Sequence, residues 1–385
     1  MKKHYRLTIL SLFILLTLVL GACAPQAVEA PPAAEPTAAE ATAPTEDPTE
    51  APTPEPAVIT DSMGNEVVLP ALPTRIVIAG KASPFTLATT YLFEEASQRV
   101  VAQELRGLTT PDFLSVIDAA FAHKDTLEMD AGPEQIAPFN PDLVIMKNWA
   151  VAKLGAALNE IDIPVVGIDM ETPEKFYLDI VALGQVFGNP ERAEEINAYY
   201  QERINSIEEK AANLSDEDKP TVLVLQYSEK DNAVAFKIPP ATYLQTMIVN
   251  GSGGIPIWAE GSEAETDWIV VNFEQIATWN PDMIFIINYN QSSVETVEKL
   301  KADSKWQELK AVKEGQVYGF AGDFQSWELP APSWLLGYLW IATKIQPELN
   351  ADINMMDEVK SFYKTMYRLD DEQIDKSILS RLVMP

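Results

Sequence analysis

One sentence occurs twice in this chain. Residues 134–145 read EQIAPFNPDLVI and residues 274–285 read EQIATWNPDMIF, 140 positions apart. Each copy places a glutamate in a short helical stretch, then Asn-Pro-Asp, then an apolar run. Proline disfavours helical geometry in the residue before it, so Asn140 and Asn280 end their helices. Asp142 and Asp282 can then hold the turn into the following strand. The chain therefore uses one helix–turn–strand unit once in each of two lobes. Packing accounts for Ile136 and Ile276, and turning for the Asn-Pro-Asp. Neither demands Glu134 or Glu274, since a first-turn glutamate gains only a few tenths of a kcal/mol from the helix dipole.

Apolar runs bounded by turn residues recur through the rest of the body. Strands are predicted at 75–79, 142–146, 164–168, 221–227, 283–287 and 316–320. They are short and continuously apolar, as strands buried on both faces are. Helical stretches alternate with them, which predicts an α/β fold of parallel sheets covered by helices. The longest helix is predicted over 189–214. Asn189 caps it, Pro190 suits its first turn, and Ala193, Ile196, Tyr200, Ile204 and Ile207 form one apolar stripe. It lies between the two copies of the repeat and divides the body into an N-terminal lobe, 58–188, and a C-terminal lobe, 215–385.

The chain opens with MKKHYRLTILSLFILLTLVLGAC. A basic head followed by an apolar run too short for a convincing membrane span predicts a signal peptide over 1–22. Leu20-Gly21-Ala22-Cys23 resembles a bacterial lipobox, and Cys23 is the single cysteine of the chain. No internal disulfide can use it; acylation gives it a purpose. Residues 23–57 are dominated by Ala, Pro, Thr and Glu, with no aromatic and no Lys or Arg. Such a segment cannot bury enough apolar surface to order itself and is expected to act as a tether, roughly 30–35 Å end to end. The expected location is therefore outside the cytoplasm, anchored to the cell membrane through acylated Cys23. Without Lys2, Lys3 and Arg6, the 28 Lys and Arg become 25, against 57 Asp and Glu: a net charge of −32. That argues against nucleic acid and against electrostatic adhesion to anionic lipid.

Taken together, these features resemble the cluster A, or class III, substrate-binding proteins of bacterial ABC importers, which serve iron–siderophore, haem, cobalamin and some metal or oxyanion uptake systems. The resemblance covers nearly all of 58–385. It is carried by TDSMGNEVVLPALPTRIVIAG (60–80), both copies of the repeat, DSKWQELKAVKEGQVYGF (303–320) and SFYKTMYRLDDEQIDKSIL (361–379). It implies two parallel-sheet lobes joined by one long rigid helix, with the ligand cleft between them. It implies small lobe closure, because a helix hinge is stiff. Its partners would be a permease dimer with its ATPase, and the protein itself a monomer. In the family, one surface glutamate on each lobe meets permease arginines; the matching positions here are Glu134 and Glu274.

In such sheets ligands bind beyond the carboxyl ends of strands. That rule nominates Lys81 with its neighbours Gly80 and Ala82, then Lys147, Asn148 and Trp149, then Asp169. In the second lobe it nominates Tyr227 with Ser228, and Tyr289 with Asn290. Lys237 and the Trp327-Glu328 pair are further candidates. Aromatic rings suit a planar or greasy chelate, and lysines an anionic one. Trp340, inside LLGYLWIA, reads as core. Arg106 is the arginine best placed to grip an anion.

Once the leader is removed, His123 is the single histidine, and it reads as a helix end. Relatives that hold bare zinc or manganese use several histidines. A resident metal or permanent cofactor is therefore not expected. The expected cargo is a chelated metal, foremost a ferric siderophore, with cobalamin, haem or molybdate and tungstate as alternatives. An enzyme is disfavoured: the chain shows no Gly-rich phosphate loop, no nucleophile elbow and no histidine network. GSGG at 251–254 reads as a helix-terminating turn. A surface receptor or adhesin without transport is the remaining alternative.

Overall fold

The apolar runs build two sheets in a computed structural model that describes residues 56–105, 110–231 and 233–385. The leader, Cys23, the tether up to Glu55 and Arg106 lie outside the described residues. The first lobe begins with an antiparallel hairpin, β1 (Ala57–Thr60) and β2 (Glu66–Leu69). A five-stranded parallel sheet follows: β3 (Ile76–Ile78), β4 (Val100–Glu104), β5 (Asp125–Leu127), β6 (Leu143–Lys147) and β7 (Val165–Ile168), in the order β5-β4-β3-β6-β7. Every residue of β3, β6 and β7 is buried, which explains their unbroken apolar sequences.

The second lobe holds β8 (Thr221–Lys230), β9 (Ala233–Ile238), β10 (Ile255–Pro256), β11 (Ile269–Val271), β12 (Met283–Ile287) and β13 (Val317–Gly319). Its order is β11-β9-β8-β12-β13, with β10 beside the start of β8. β8, β12 and β13 run parallel, as in the first lobe. β9 and β11 extend this sheet in antiparallel fashion, so the second sheet is mixed where the sequence predicts a parallel one. The cause is local: β8 turns at Asp231, with φ 53°, straight into β9.

Within each copy of the repeat, Asn140 (φ 47°) and Asn280 (φ 41°) end their helical segments in the left-handed conformation. The aspartates do more than hold a turn. Asp142 accepts from the Thr74 amide at 2.7 Å and the Arg75 amide at 2.9 Å. Asp282 accepts from the Thr221 amide and hydroxyl, both at 2.7 Å, and from Lys310 Nζ at 2.5 Å. Each aspartate thus ties the start of one central strand to the start of its neighbour, β6 to β3 and β12 to β8. Burial opposes ionisation of Asp282, but the Lys310 and Thr221 donors outweigh it and hold the carboxyl below its usual range. A carboxyl depressed in the folded state contributes stability above about pH 4, lost as pH falls through the folded value. Asp282→Asn is therefore expected to cost about 1–3 kcal/mol at pH 7 in urea melts and distinctly less at pH 3. An equal loss at both pH values would show that the tie is not ionic.

The helix Pro190–Ala211 runs between the lobes. Asn189 Oδ1 accepts from the Arg192 amide at 3.1 Å, and the stripe from Ala193 to Ile207 is buried. The helix Met355–Tyr367, near the C-terminus, returns to the first lobe. Tyr367 donates to the Ala88 carbonyl and Arg368 to those of Tyr91 and Leu92. Arg192 binds the carbonyls of Leu92, Thr365 and Met366, so it links the spine to both. One hydrophobic core runs through both lobes, and a smaller one covers the outer face of the first sheet. Trp340 is buried in the main core, and the helix Leu244–Gly251 ends at the glycine turn.

Candidate ligand cleft

On the first lobe the carboxyl ends of β3, β6 and β7 supply one wall. Past β3 the chain turns at Gly80, with φ 91°. The Ala150 Cβ would lie 3.0 Å from a side chain there, so glycine is needed for both angle and space. Its amide donates to Glu104 Oε2 at 2.8 Å, and Glu104 Oε1 accepts from the Asp130 amide. Lys81 follows, exposed. Lys147, at the end of β6, is only 2% exposed; its ammonium donates to the Asp169 carbonyl and to Glu171 Oε1 at 2.6 Å. Asn148 turns aside, donating to Ser62 at 3.2 Å and packing over Gly167. Trp149 is 41% exposed, with the Lys153 ammonium 5.8 Å from its ring centre. The loop after β7 is held by Asp179, which is fully buried and accepts from the Asp169 and Met170 amides. Burial pushes the Asp179 carboxyl up to about 7 against those hydrogen bonds. The loop carries Glu171.

The facing wall comes from the second lobe. Tyr289 stands two residues past β12, half-buried. Burial, then the charges of Glu328 and Glu171, raise its phenol well above the ordinary value. Tyr243, just before the helix Leu244–Gly251, donates to the Thr266 carbonyl at 2.7 Å; burial and then Glu171 raise its phenol too. Glu171 of the first lobe is thus within electrostatic reach of two phenols of the second. Glu328 is fully buried. Its main-chain carbonyl accepts from Gln245 Nε2 at 3.0 Å, but neither carboxyl oxygen makes a hydrogen bond. The Ser326 and Tyr289 hydroxyls are near enough to favour its ionisation, yet burial dominates and pushes its pKa up to about 8. Beside it lies a pocket of about 370 Å³ lined by Tyr289, Ser292, Ser293, Phe320 and Ser326 among others.

The structure therefore puts Lys81, Lys147, Asn148 and Trp149 at the strand ends of the first lobe and Tyr289 at a strand end of the second, with Glu328 buried behind Tyr289. Glu171 and Tyr243 are cleft residues that the strand-end rule does not reach, because each sits at the far end of a loop. Other nominated residues are committed elsewhere. Tyr227 is 1% exposed, its ring against Phe236 and its hydroxyl donating to Glu229 and accepting from Lys299. Lys237 is half-buried on β9, opposite Gln226 and Val270. Trp327 is fully buried and donates to Asp323 Oδ2 at 3.0 Å, so its ring is packing rather than cleft surface. His123 is exposed at the end of a short 3-10 helix.

Glu134 and Glu274 are exposed and make no ion pair among the described residues. Glu134 follows β5 and Glu274 follows β11, and both strands run toward the cleft end of their sheets. The two carboxylates therefore stand one on each lobe, near the cleft end.

A family model described as periplasmic binding protein matches residues 76–323. The molybdate-binding protein MolA of Haemophilus influenzae is 23% identical over 253 residues, 61% of this chain and 69% of MolA. Its solved structure with molybdate aligns at TM-score 0.65 and 16% identity, covering 81% of this chain and 98% of that one. The iron-uptake system-binding protein of Bacillus subtilis is 23% identical over 197 residues, 50% of this chain and 58% of the relative. A periplasmic solute-binding protein from Veillonella parvula shares the fold at TM-score 0.66 and 24% identity, covering 85% of this chain and 98% of that one. A cleft between two α/β lobes on a helical spine, and a model matching well over half the sequence, agree: the chain belongs to the periplasmic binding protein family.

Proposed function

We propose that the cargo of this ABC-importer binding protein is a chelated metal, a ferric siderophore in the first instance, taken up in the inter-lobe cleft and handed to a membrane permease. Its work is binding and delivery outside the cytoplasm, not catalysis. The observation that carries the cargo reading is the make-up of the two walls. They offer an indole and two phenols, Trp149, Tyr243 and Tyr289, and the carboxyl of Glu171, with that of Glu328 buried behind Tyr289. Flat aromatic surface suits a bulky chelate. Among the described residues no group of three or more His, Cys, Asp or Glu is arranged to hold a bare metal ion.

Molybdate is the second reading. It is favoured by the MolA relative and by the hydroxyls of Ser292 and Ser293 at the start of the helix Ser293–Ala302. We further assign Cys23 as the acylated anchor, residues 23–57 as the tether, and Glu134 and Glu274 as the contacts to a permease dimer driven by its ATPase, with the binding protein acting as a monomer.

Titration of the purified protein with ferric trihydroxamates, ferric tricatecholates, haem, cobalamin and molybdate tests the cargo. Tryptophan fluorescence and thermal shift are the readouts. A ferric chelate at a hundredfold excess over its Kd should stabilise the fold by about 2.7 kcal/mol. Binding of molybdate with silence from every chelate would replace the first reading by the second.

A further inference from the structure

The buried carboxyl of Glu328 accepts no well-formed hydrogen bond among the described residues, though the Ser326 and Tyr289 hydroxyls stand nearby. Its neighbours in the same segment are firmly bonded: Trp327 to Asp323, and Asp323 to the hydroxyl of Tyr363. Glu328 is fully buried with both oxygens unbonded, although burying a polar group without partners is costly. The groups that face it are few. Tyr289 comes from beyond β12, Ser326 from its own segment, and the amide of Gln245 from the helix Leu244–Gly251. From the first lobe, Glu171 acts on the same Tyr289 phenol and is itself paired with Lys147. Neither Tyr289 nor Glu171 neutralises an ionised Glu328. Among the described residues no cation pairs with Glu328, so a positive charge beside it would be the ligand's.

We propose that Glu328 selects the charge of the ligand: an ammonium or other cationic group of the cargo enters beside Tyr289, and Glu328 loses its proton to solvent and pairs with that group. This rests on the chelate reading and narrows it, to metal complexes that carry a pendant cation. The bond broken is the carboxyl O–H; nothing is oxidised or reduced. Because the empty site holds its proton up to about pH 8, capture at pH 7 releases about one proton per ligand. Affinity then rises about tenfold per pH unit below that value and levels off above it.

Calorimetric titration of the full-length protein in two buffers of different ionisation enthalpy counts the protons. The probes are a ferric trihydroxamate with a pendant ammonium group and its N-acetylated form. The expected result is about one proton released with the ammonium probe and none with the acetylated one, which should bind at least tenfold more weakly. Glu328→Gln should abolish the release and flatten the pH profile while retaining the wild-type melting temperature. The wild-type proton count needs no variant, so a misfolded Glu328→Gln would leave the test intact. Equal binding of both probes without proton release overturns the role of Glu328 and leaves the chelate reading standing. No binding of either probe, with other chelates bound, also overturns it; silence from every chelate removes the reading on which it rests.

Discussion

Uptake of the cargo should fall by about a hundredfold or more when Glu134 and Glu274 are both changed to alanine, while ligand affinity and melting temperature stay as they were. Both side chains are exposed and unpaired among the described residues, so the fold loses at most the small first-turn dipole term at each. Both stand at the cleft end, one per lobe, where a two-fold permease would meet both at once. Truncating one partner of a hydrogen-bonded charge pair at an interface costs about 2–5 kcal/mol, and each 1.4 kcal/mol is tenfold. A single substitution should therefore leave partial transport, and the pair should leave little. Radiolabelled cargo uptake into proteoliposomes carrying the permease and its ATPase measures this directly. Uptake within twofold of wild type in the double variant would remove both glutamates from the docking surface.

The contrast between those glutamates and the rest of their repeat shows what could be read from sequence. The Asn-Pro-Asp and the apolar run answer to local rules, and six strands lie where the apolar runs put them. The hairpin β8–β9 escaped because β9, AVAFKI, is half-solvated and its apolar run is cut to four residues by Lys237. β4, VVAQE, escaped because its last two residues are polar yet buried, Gln103 and Glu104, the latter bonded to loop amides that no local pattern announces. The cleft divides in the same way. Lys147, Asn148, Trp149 and Tyr289 follow strand ends directly, where the topological rule applies. Glu171 and Tyr243 reach the cleft only because Asp179 and the Tyr243–Thr266 bond fix their loops, and these partners lie 8 and 23 residues away in the chain. Trp327 misleads for the opposite reason: it sits in a segment that ends a lobe's sheet region, but Gly337 lets a helix press against its carbonyl and seal it in.

Replacing Trp334 with alanine should cost about 3–5 kcal/mol and, unlike a comparable loss elsewhere, should loosen one lobe against the other. Trp334 is fully buried and joins three parts of the molecule. Its ring centre lies 5.6 Å from Phe176 of the first lobe, 5.2 Å from Tyr200 of the spine and 6.4 Å from Tyr338 of the second lobe. The Tyr200 hydroxyl closes the cluster on the Pro332 carbonyl at 2.6 Å. Trp340 is as deeply buried, but its aromatic partners, Phe285, Tyr318 and Phe320, all belong to the second lobe. With an unfolding entropy of about 2 cal/mol/K per residue, either loss lowers the melting temperature by roughly 4–7 °C in a body of this size. The two variants part in their motion. Spin labels at the exposed positions Glu160 and Lys305 report the distance between lobes. Wild type and Trp340→Ala should give one narrow distribution that shifts little on ligand binding, as a stiff helical joint dictates. Trp334→Ala should give a broad one, with weaker ligand binding because the two walls no longer hold their spacing. Equal breadth in the two tryptophan variants would place the stiffness in the helix alone and not in the aromatic cluster that clamps it.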